Sequence, residues 1–396
     1  MKLAILISGG SLKKKSGIVN IAFSRGDRLG IFPDVNIQYF FLNAERRKFS
    51  LKSIIEGEFQ NTTVYVDGRA VIVITKIEYY TTIRGLRRFF KNYYIRKQRR
   101  LADWEWHQDV AKYLKGYDAI IAHYNDAAFI AESAKKKYGI PYFVTWHGSD
   151  IHSIPFNDIN AKRKTIAAIE HADCNFFVSN ALLKKSELLT SIGRKEVIYN
   201  SIESYFCKYE DKKKFLLHSE FNINDEKVVA FAGNLLPVKN AELLPEIFSK
   251  IKKIYKGAVK FWIIGDGYQK ESIEKKLINT DLDCCLWGFQ PAAKIPDFFN
   301  CTDVLVLPSN NEGFPLVILE ALSCGANVVG SNVGGIPEAI GNDFCVDLGD
   351  NFIEYFAQKV VSLLEKPTMQ LFPAECTWDK IVQKEYEIYR SILSKN

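Results

Sequence analysis

Short, strongly apolar runs recur along the chain with helix-like segments between them. In the first half they read KLAILIS (Lys2–Ser8), AVIVITK (Ala70–Lys76), DAIIAHY (Asp118–Tyr124), PYFVTWH (Pro141–His147) and CNFFVSN (Cys174–Asn180). Segments with the period of a helix, such as Asp126–Tyr138, separate them. This alternation predicts βαβ units on a parallel sheet, in which strands covered on both faces read as continuous apolar stretches. The second half carries the same pattern in KVVAFAGNLLPVKN (Lys227–Asn240), VKFWIIGDG (Val259–Gly267) and DVLVLP (Asp303–Pro308). After the last of these, Pro315 suits the first turn of a helix running to about Cys324, and Gly325 stops it. The fold class is α/β.

Composition adds scale and excludes several classes. The chain has 396 residues, of which 47% are hydrophobic and 13% aromatic, enough for two domains with separate cores and against extended disorder. The polar stretch Tyr199–Lys214 is the predicted linker. Eight scattered cysteines without a C-x-x-C pair fit small core residues in a reducing cytoplasm. MKLAILISGG is too short for a signal peptide, and no apolar run of about eighteen residues could span a bilayer. The net charge of +7 is uneven: Arg84–Arg100 carries eight Lys or Arg residues and no acid, interleaved with Phe89, Phe90, Tyr93 and Tyr94. Such a segment suits an anionic membrane surface or a solvated helix face, and no nucleic-acid module accompanies it.

Candidate chemistry concentrates at strand ends. Glu312 stands in the loop after DVLVLP, and Glu320 follows inside an apolar helix. Open parallel sheets bind ligands at the carboxyl ends of their strands, beside helix N-termini that favour anions. Within Lys227–Asn240 a strand ends at Gly233, and Lys239 stands beyond it where a helix is expected to start and can meet a diphosphate. Gly265 and Gly267 would let backbone approach a nucleotide, and Gly334 and Gly335, before Pro337, would present unpaired N–H groups. Gly9 and Gly10 follow the first strand without dinucleotide-fingerprint spacing. His147 opens W-H-G-S-D directly after a strand; His123, also after a strand, reads as structural or cleft-lining. His152 has no further ligands at metal spacing, so no metal site and no cofactor are expected.

The segment Asn311–Gly325 resembles the E-x7-E signature of the retaining GT-B glycosyltransferases, family four ("glycosyl transferases group 1" type). The resemblance is specific from about Gly233 to Glu338 and looser before. It implies two Rossmann-like doubly wound parallel-sheet domains facing a central cleft: residues 1–203 for the acceptor, 204–375 for the nucleotide sugar, and 376–396 as a helix crossing back to the first domain. It further implies His147, Lys239 and Glu312 as catalytic residues. Glu320 would hold the ribose hydroxyls, with Gly9, Gly10, Gly233, Asn234, Gly265, Gly267, Gly313, Phe314, Pro315, Leu316, Gly334 and Gly335 also at the donor. Asn234 departs from the pattern, standing where the family usually has Arg, and an amide supplies neither charge nor a bidentate fork.

The function so implied is transfer of a sugar, with retention, from a UDP- or GDP-sugar to a hydroxyl of a glycan acceptor. The family points to a lipid-linked acceptor in bacterial surface polysaccharide synthesis, in the cytoplasm and peripheral to the plasma membrane. The competing readings are a non-catalytic nucleotide-sugar-binding module, favoured by Asn234, and a GT-B sugar-nucleotide epimerase.

Overall fold

The computed structural model describes residues 1–9, 12, 17–48, 59–80 and 107–395. The basic segment Arg84–Arg100 and Gly10 lie outside these. Contacts divide the chain into one unit of Met1–Val178, Leu182–Ile198 and Val382–Asn396 and a second of Ser179–Ala181 and Tyr199–Ile381. Among the described residues no helix is long and apolar enough to cross a membrane.

The first unit is built on an eight-stranded sheet: β1 Lys2–Ile7, β2 Asn36–Lys48, β3 Phe59–Val66, β4 Arg69–Tyr80, β5 Ala119–His123, β6 Tyr142–Trp146, β7 Cys174–Phe177 and β8 Lys195–Val197. Their order is β3-β4-β2-β1-β5-β6-β7-β8. Every residue of β5, β6 and β7 is buried, which is why these strands read as unbroken apolar runs rather than alternating ones. All neighbours pair in parallel except β3 and β4, an antiparallel hairpin turned at Asp67 and Gly68, both with positive φ. The helix expected over Asp126–Tyr138 spans Asn125–Tyr138 and is stopped by Gly139 in the left-handed region. Strand order reverses between β1 and β5, so the loops after these two strands diverge and leave a crevice at their carboxyl ends.

The second unit repeats this logic in six parallel strands: β9 Lys227–Ala232, β10 Val259–Ile264, β11 Cys284–Gly288, β12 Val304–Leu307, β13 Asn327–Ser331 and β14 Cys345–Val346. The order β11-β10-β9-β12-β13-β14 places its reversal between β9 and β12, where Val304 pairs with Val229 and Leu305 with Ala230. Lys239 and Glu312 follow those two strands.

The helix Trp378–Leu393 ends in the first unit, where Val382, Ile388 and Tyr389 are buried. Tyr389 packs edge-on against Phe143 and Phe176. Beside it Arg25, itself buried, donates from Nη1 to Glu385 Oε1 at 2.5 Å and from Nη2 to the Ile198 carbonyl at 3.2 Å. Burial raises the Glu385 carboxyl above its ordinary value while Arg25 pulls it down. Removing one partner of such a pair leaves an uncompensated charge, whereas replacing both by apolar side chains removes the desolvation cost as well. Glu385→Ala is expected to lower unfolding free energy by about 3 kcal/mol in urea, and Arg25→Met with Glu385→Leu to recover most of that loss. Equal losses in the single and double variants would show that packing, not charge, holds this helix.

Candidate functional site

The site is assembled in the second unit from loops that diverge at the β9/β12 reversal. Lys239 does not start an α-helix as expected: it ends a 3₁₀ turn, Pro237–Lys239, and the α-helix begins at Leu244. The reason is Asn240, whose φ of 50° puts it in the left-handed region and breaks the helical path. That break turns Lys239 toward the next loop. Its Nζ lies 2.5 Å from Glu312 Oε1, which also accepts from Ser309 Oγ at 2.8 Å.

The glycines serve this stacking of loops. A Cβ on Gly265 would lie 1.9 Å from the Gly233 carbonyl oxygen, and one on Gly267 2.4 Å from that of Leu235. On the other side, a Cβ on Gly334 would meet the Glu312 carbonyl at 1.9 Å and one on Gly335 the Gly313 carbonyl at 2.2 Å. Backbone closeness is thus required, but to the loops carrying Lys239 and Glu312. The Gly335 N–H is not unpaired as expected; it donates to the Glu312 carbonyl at 3.2 Å. Asn234 is exposed on the loop after Gly233.

Gly313, Phe314 and Pro315 are buried and lead into the helix Leu316–Cys324, capped by Gly325 in the left-handed region. This matches the expected helix at both ends. Phe314 packs against the Tyr199 ring at 5.0 Å. Glu320 lies in the helix, half-buried, and its carboxylate has no hydrogen-bond or ionic partner among the described residues. Desolvation pushes its carboxyl up to about 7. Burial and the Glu320 charge raise the phenol of Tyr205, a neighbour the sequence pattern did not single out.

In the first unit Ser8 accepts the Ala127 N–H at 3.0 Å and donates its own N–H to the His123 carbonyl at 3.1 Å, tying the ends of β1 and β5 together. Gly9 has φ 77°, and a Cβ there would lie 2.9 Å from the Tyr124 ring. His123 is buried, and its Nδ1 is 3.1 Å from Nε2 of half-buried His147. Asp150 accepts the His147 and Gly148 N–H groups at 2.9 and 2.6 Å, which fixes the turn carrying His147. Burial, with Arg25 adding to it, lowers the His147 imidazole to about 3, and burial lowers that of His123 well below its ordinary range, assisted by His147 and Arg25. Both rings are therefore neutral at pH 7 and exchange hydrogen bonds rather than charge. His123 was read only as structural or cleft-lining; its place at a strand end beside the β1/β5 reversal was the available signal.

Two Rossmann-like units, each with its loops gathered at the point of strand reversal, define the GT-B class of fold. A solved structure of this class, Anabaena Alr3699/HepE in complex with UDP-glucose, is similar over 100% of this chain and 98% of its own, with TM-score 0.63 and 18% identity. The profile described as "Glycosyltransferase Family 4" matches residues 67–204 and that described as "Glycosyl transferases group 1" residues 213–374. The chain belongs to the family-four glycosyltransferases of GT-B fold. Among similar curated proteins, N-acetyl-alpha-D-glucosaminyl L-malate synthase of Bacillus anthracis is 28% identical over 56% of this chain and 58% of its own length. The putative teichuronic acid biosynthesis glycosyltransferase TuaC of Bacillus subtilis is 27% identical over 57% and 55%. The chain thus spans somewhat over half the length of these relatives.

Glu320 gives a signed pH prediction. Its folded value of about 7 exceeds the ordinary 4.5, so the folded chain takes up a proton between these values that the unfolded chain does not. The penalty of the half-buried carboxylate is full above pH 7 and fades as pH falls toward 4.5. Without nucleotide, Glu320→Gln is expected to be more stable than wild type by about 1–2 kcal/mol at pH 8, with the gain gone near pH 4.5. Urea titrations at the two pH values measure it; a pH-independent difference would mean Glu320 is solvated.

Proposed function

We propose that this protein transfers a sugar, with retention, from a nucleoside diphosphate sugar to a hydroxyl of a glycan acceptor. The observation that carries the reading is Glu320: a half-buried carboxylate without a protein partner among the described residues, in the helix that follows the Lys239–Glu312 loop pair. Such a group calls for donors, and the two hydroxyls of a ribose are donors of suitable number. The N–H groups opening the helix at Leu316 and Val317 suit the diphosphate, as does the Lys239 ammonium.

In the proposed reaction the bond from the anomeric carbon to the diphosphate oxygen breaks, and the acceptor oxygen bonds to that carbon on the same face. The acceptor's proton passes to the departing phosphate. Lys239 and helix N–H groups stabilise charge on the leaving group. No protein nucleophile takes part, consistent with Glu312 Oε1 being engaged by Lys239 and Ser309. His147, neutral and held by His123 and Asp150, would orient the sugar by hydrogen bonding. The bound UDP-glucose of the Anabaena protein supports a nucleotide-sugar donor, UDP or GDP, and the name of the teichuronic acid relative supports a surface polysaccharide as the product. The basic, aromatic sequence of Arg84–Arg100 supports a lipid-linked acceptor met at the cytoplasmic membrane surface.

Thermal unfolding with UDP, GDP and ADP is the first test, since a ligand at a hundredfold its dissociation constant adds about 2.7 kcal/mol to the folded state. One nucleotide is expected to stabilise wild type but not Glu320→Ala. No shift with any of them sinks the donor site. With a donor found, Lys239→Ala is expected to lower turnover by about 10²-fold or more, and Glu312→Ala to abolish transfer with nucleotide binding kept. Nucleotide binding without turnover on any donor would instead favour the non-catalytic module that Asn234 suggests.

A further inference from the structure

Asn240 and Asn310 form a reciprocal amide pair between the loop of Lys239 and the loop of Glu312. Asn240 Nδ2 donates to Asn310 Oδ1 at 2.8 Å, and Asn310 Nδ2 returns a bond to Asn240 Oδ1 at 2.6 Å. The second hydrogens of the two amides go to backbone carbonyls: Asn240 to Pro308 at 2.9 Å and Asn310 to Pro237 at 3.0 Å. The Asn310 N–H adds a fifth bond, to the Val238 carbonyl at 2.8 Å. Carbonyls only accept, so they fix the orientation of both amides: a flip of either would set its oxygen against a backbone carbonyl oxygen and its nitrogen against the nitrogen of the other amide.

The pair brackets the ionic contact. Asn240 adjoins Lys239, and Asn310 stands two residues before Glu312. A diphosphate competes with Glu312 for the Lys239 ammonium, so the ion pair cannot hold the two loops in register while Lys239 serves the phosphate. The amide pair is uncharged and can persist through that exchange. We propose that Asn240 and Asn310 are positioning residues that keep Lys239 placed for a nucleoside diphosphate when Glu312 releases it. The proposal rests on the reading of Lys239 as the diphosphate contact.

Two measurements test it. The first needs no donor: acetylation of Lys239 by acetic anhydride, followed by peptide mass spectrometry on the folded full chain. Asn310→Ala and Asn240→Gly, the latter compatible with the positive φ at 240, are expected to raise the labelling rate of Lys239 about fivefold or more, with other lysines unchanged. An unchanged rate overturns the clamp whether or not the protein is a transferase. The second is turnover: each variant is expected to lose about ten- to a hundredfold in kcat/KM for the donor in the wild-type background and nothing further when combined with Lys239→Ala. Additive losses would show a merely structural link and overturn the positioning role. If Lys239→Ala itself leaves turnover intact, the diphosphate reading of Lys239 fails and the proposal with it, whatever the labelling shows. Should Asn310→Ala fail to fold, Asn240→Gly tests the same link from the other loop.

Discussion

A lysine and a glutamate from two different strand ends meet at 2.5 Å, and most local features of the second unit follow from that contact. The strands concerned, β9 and β12, are neighbours only because strand order reverses between them. Their loops leave on opposite sides, and something must bring them back together. Glycines at 265, 267, 334 and 335 let adjacent loop backbones press against this pair of loops at distances no Cβ would allow. Asn240 bends the chain out of the helical path so that Lys239 faces inward. Ser309 adds a neutral donor to the oxygen that Lys239 already engages. The unit thus pairs a cation from one strand-end loop with a carboxylate from the next, a few residues before the helix that Pro315 opens.

Much of this was legible as a pattern. The continuous apolar runs gave β1, β5, β6, β7, β9, β10 and β12, because burial on both faces of a parallel sheet removes alternation. Pro315 and Gly325 marked the Glu320 helix at both ends, since one residue fits its start and the other the left-handed cap. The AVIVITK run gave β4 as well, but β2, β3 and the hairpin that joins β3 to β4 were not legible. Their residues are more polar and lie toward the sheet edge, where strand pairing is decided by neighbours rather than by local hydrophobicity. The 3₁₀ turn at Lys239 was missed for a related reason: a left-handed asparagine is a tertiary choice, stabilised by its bonds to Pro308 and Asn310.

The candidate residues were easier to find than their supports. Glu312, Glu320, Lys239 and His147 stand at strand ends or in a helix beside one, where pattern alone directs attention. Ser309 and Asn310 hold those groups from within loops and nothing in their spacing sets them apart, whereas Asp150 sits in the W-H-G-S-D turn and His123 at a strand end. The glycines at 265, 267, 334 and 335 were read as letting backbone approach a ligand, and each also lies against a neighbouring loop backbone too closely for a Cβ. A residue without a side chain signals that something comes close, but not what.

Arg25 and Glu385 are separated by 360 positions, and both are buried in the same unit. During synthesis, the guanidinium and the sheet around it are made long before their counter-ion. Val382, Glu385 and Tyr389 complete the core around β6 and β7 only after the whole second unit has left the ribosome. The usual order, in which the earlier-made domain closes first, is therefore reversed in its final step: the first unit to be translated is the last to be finished.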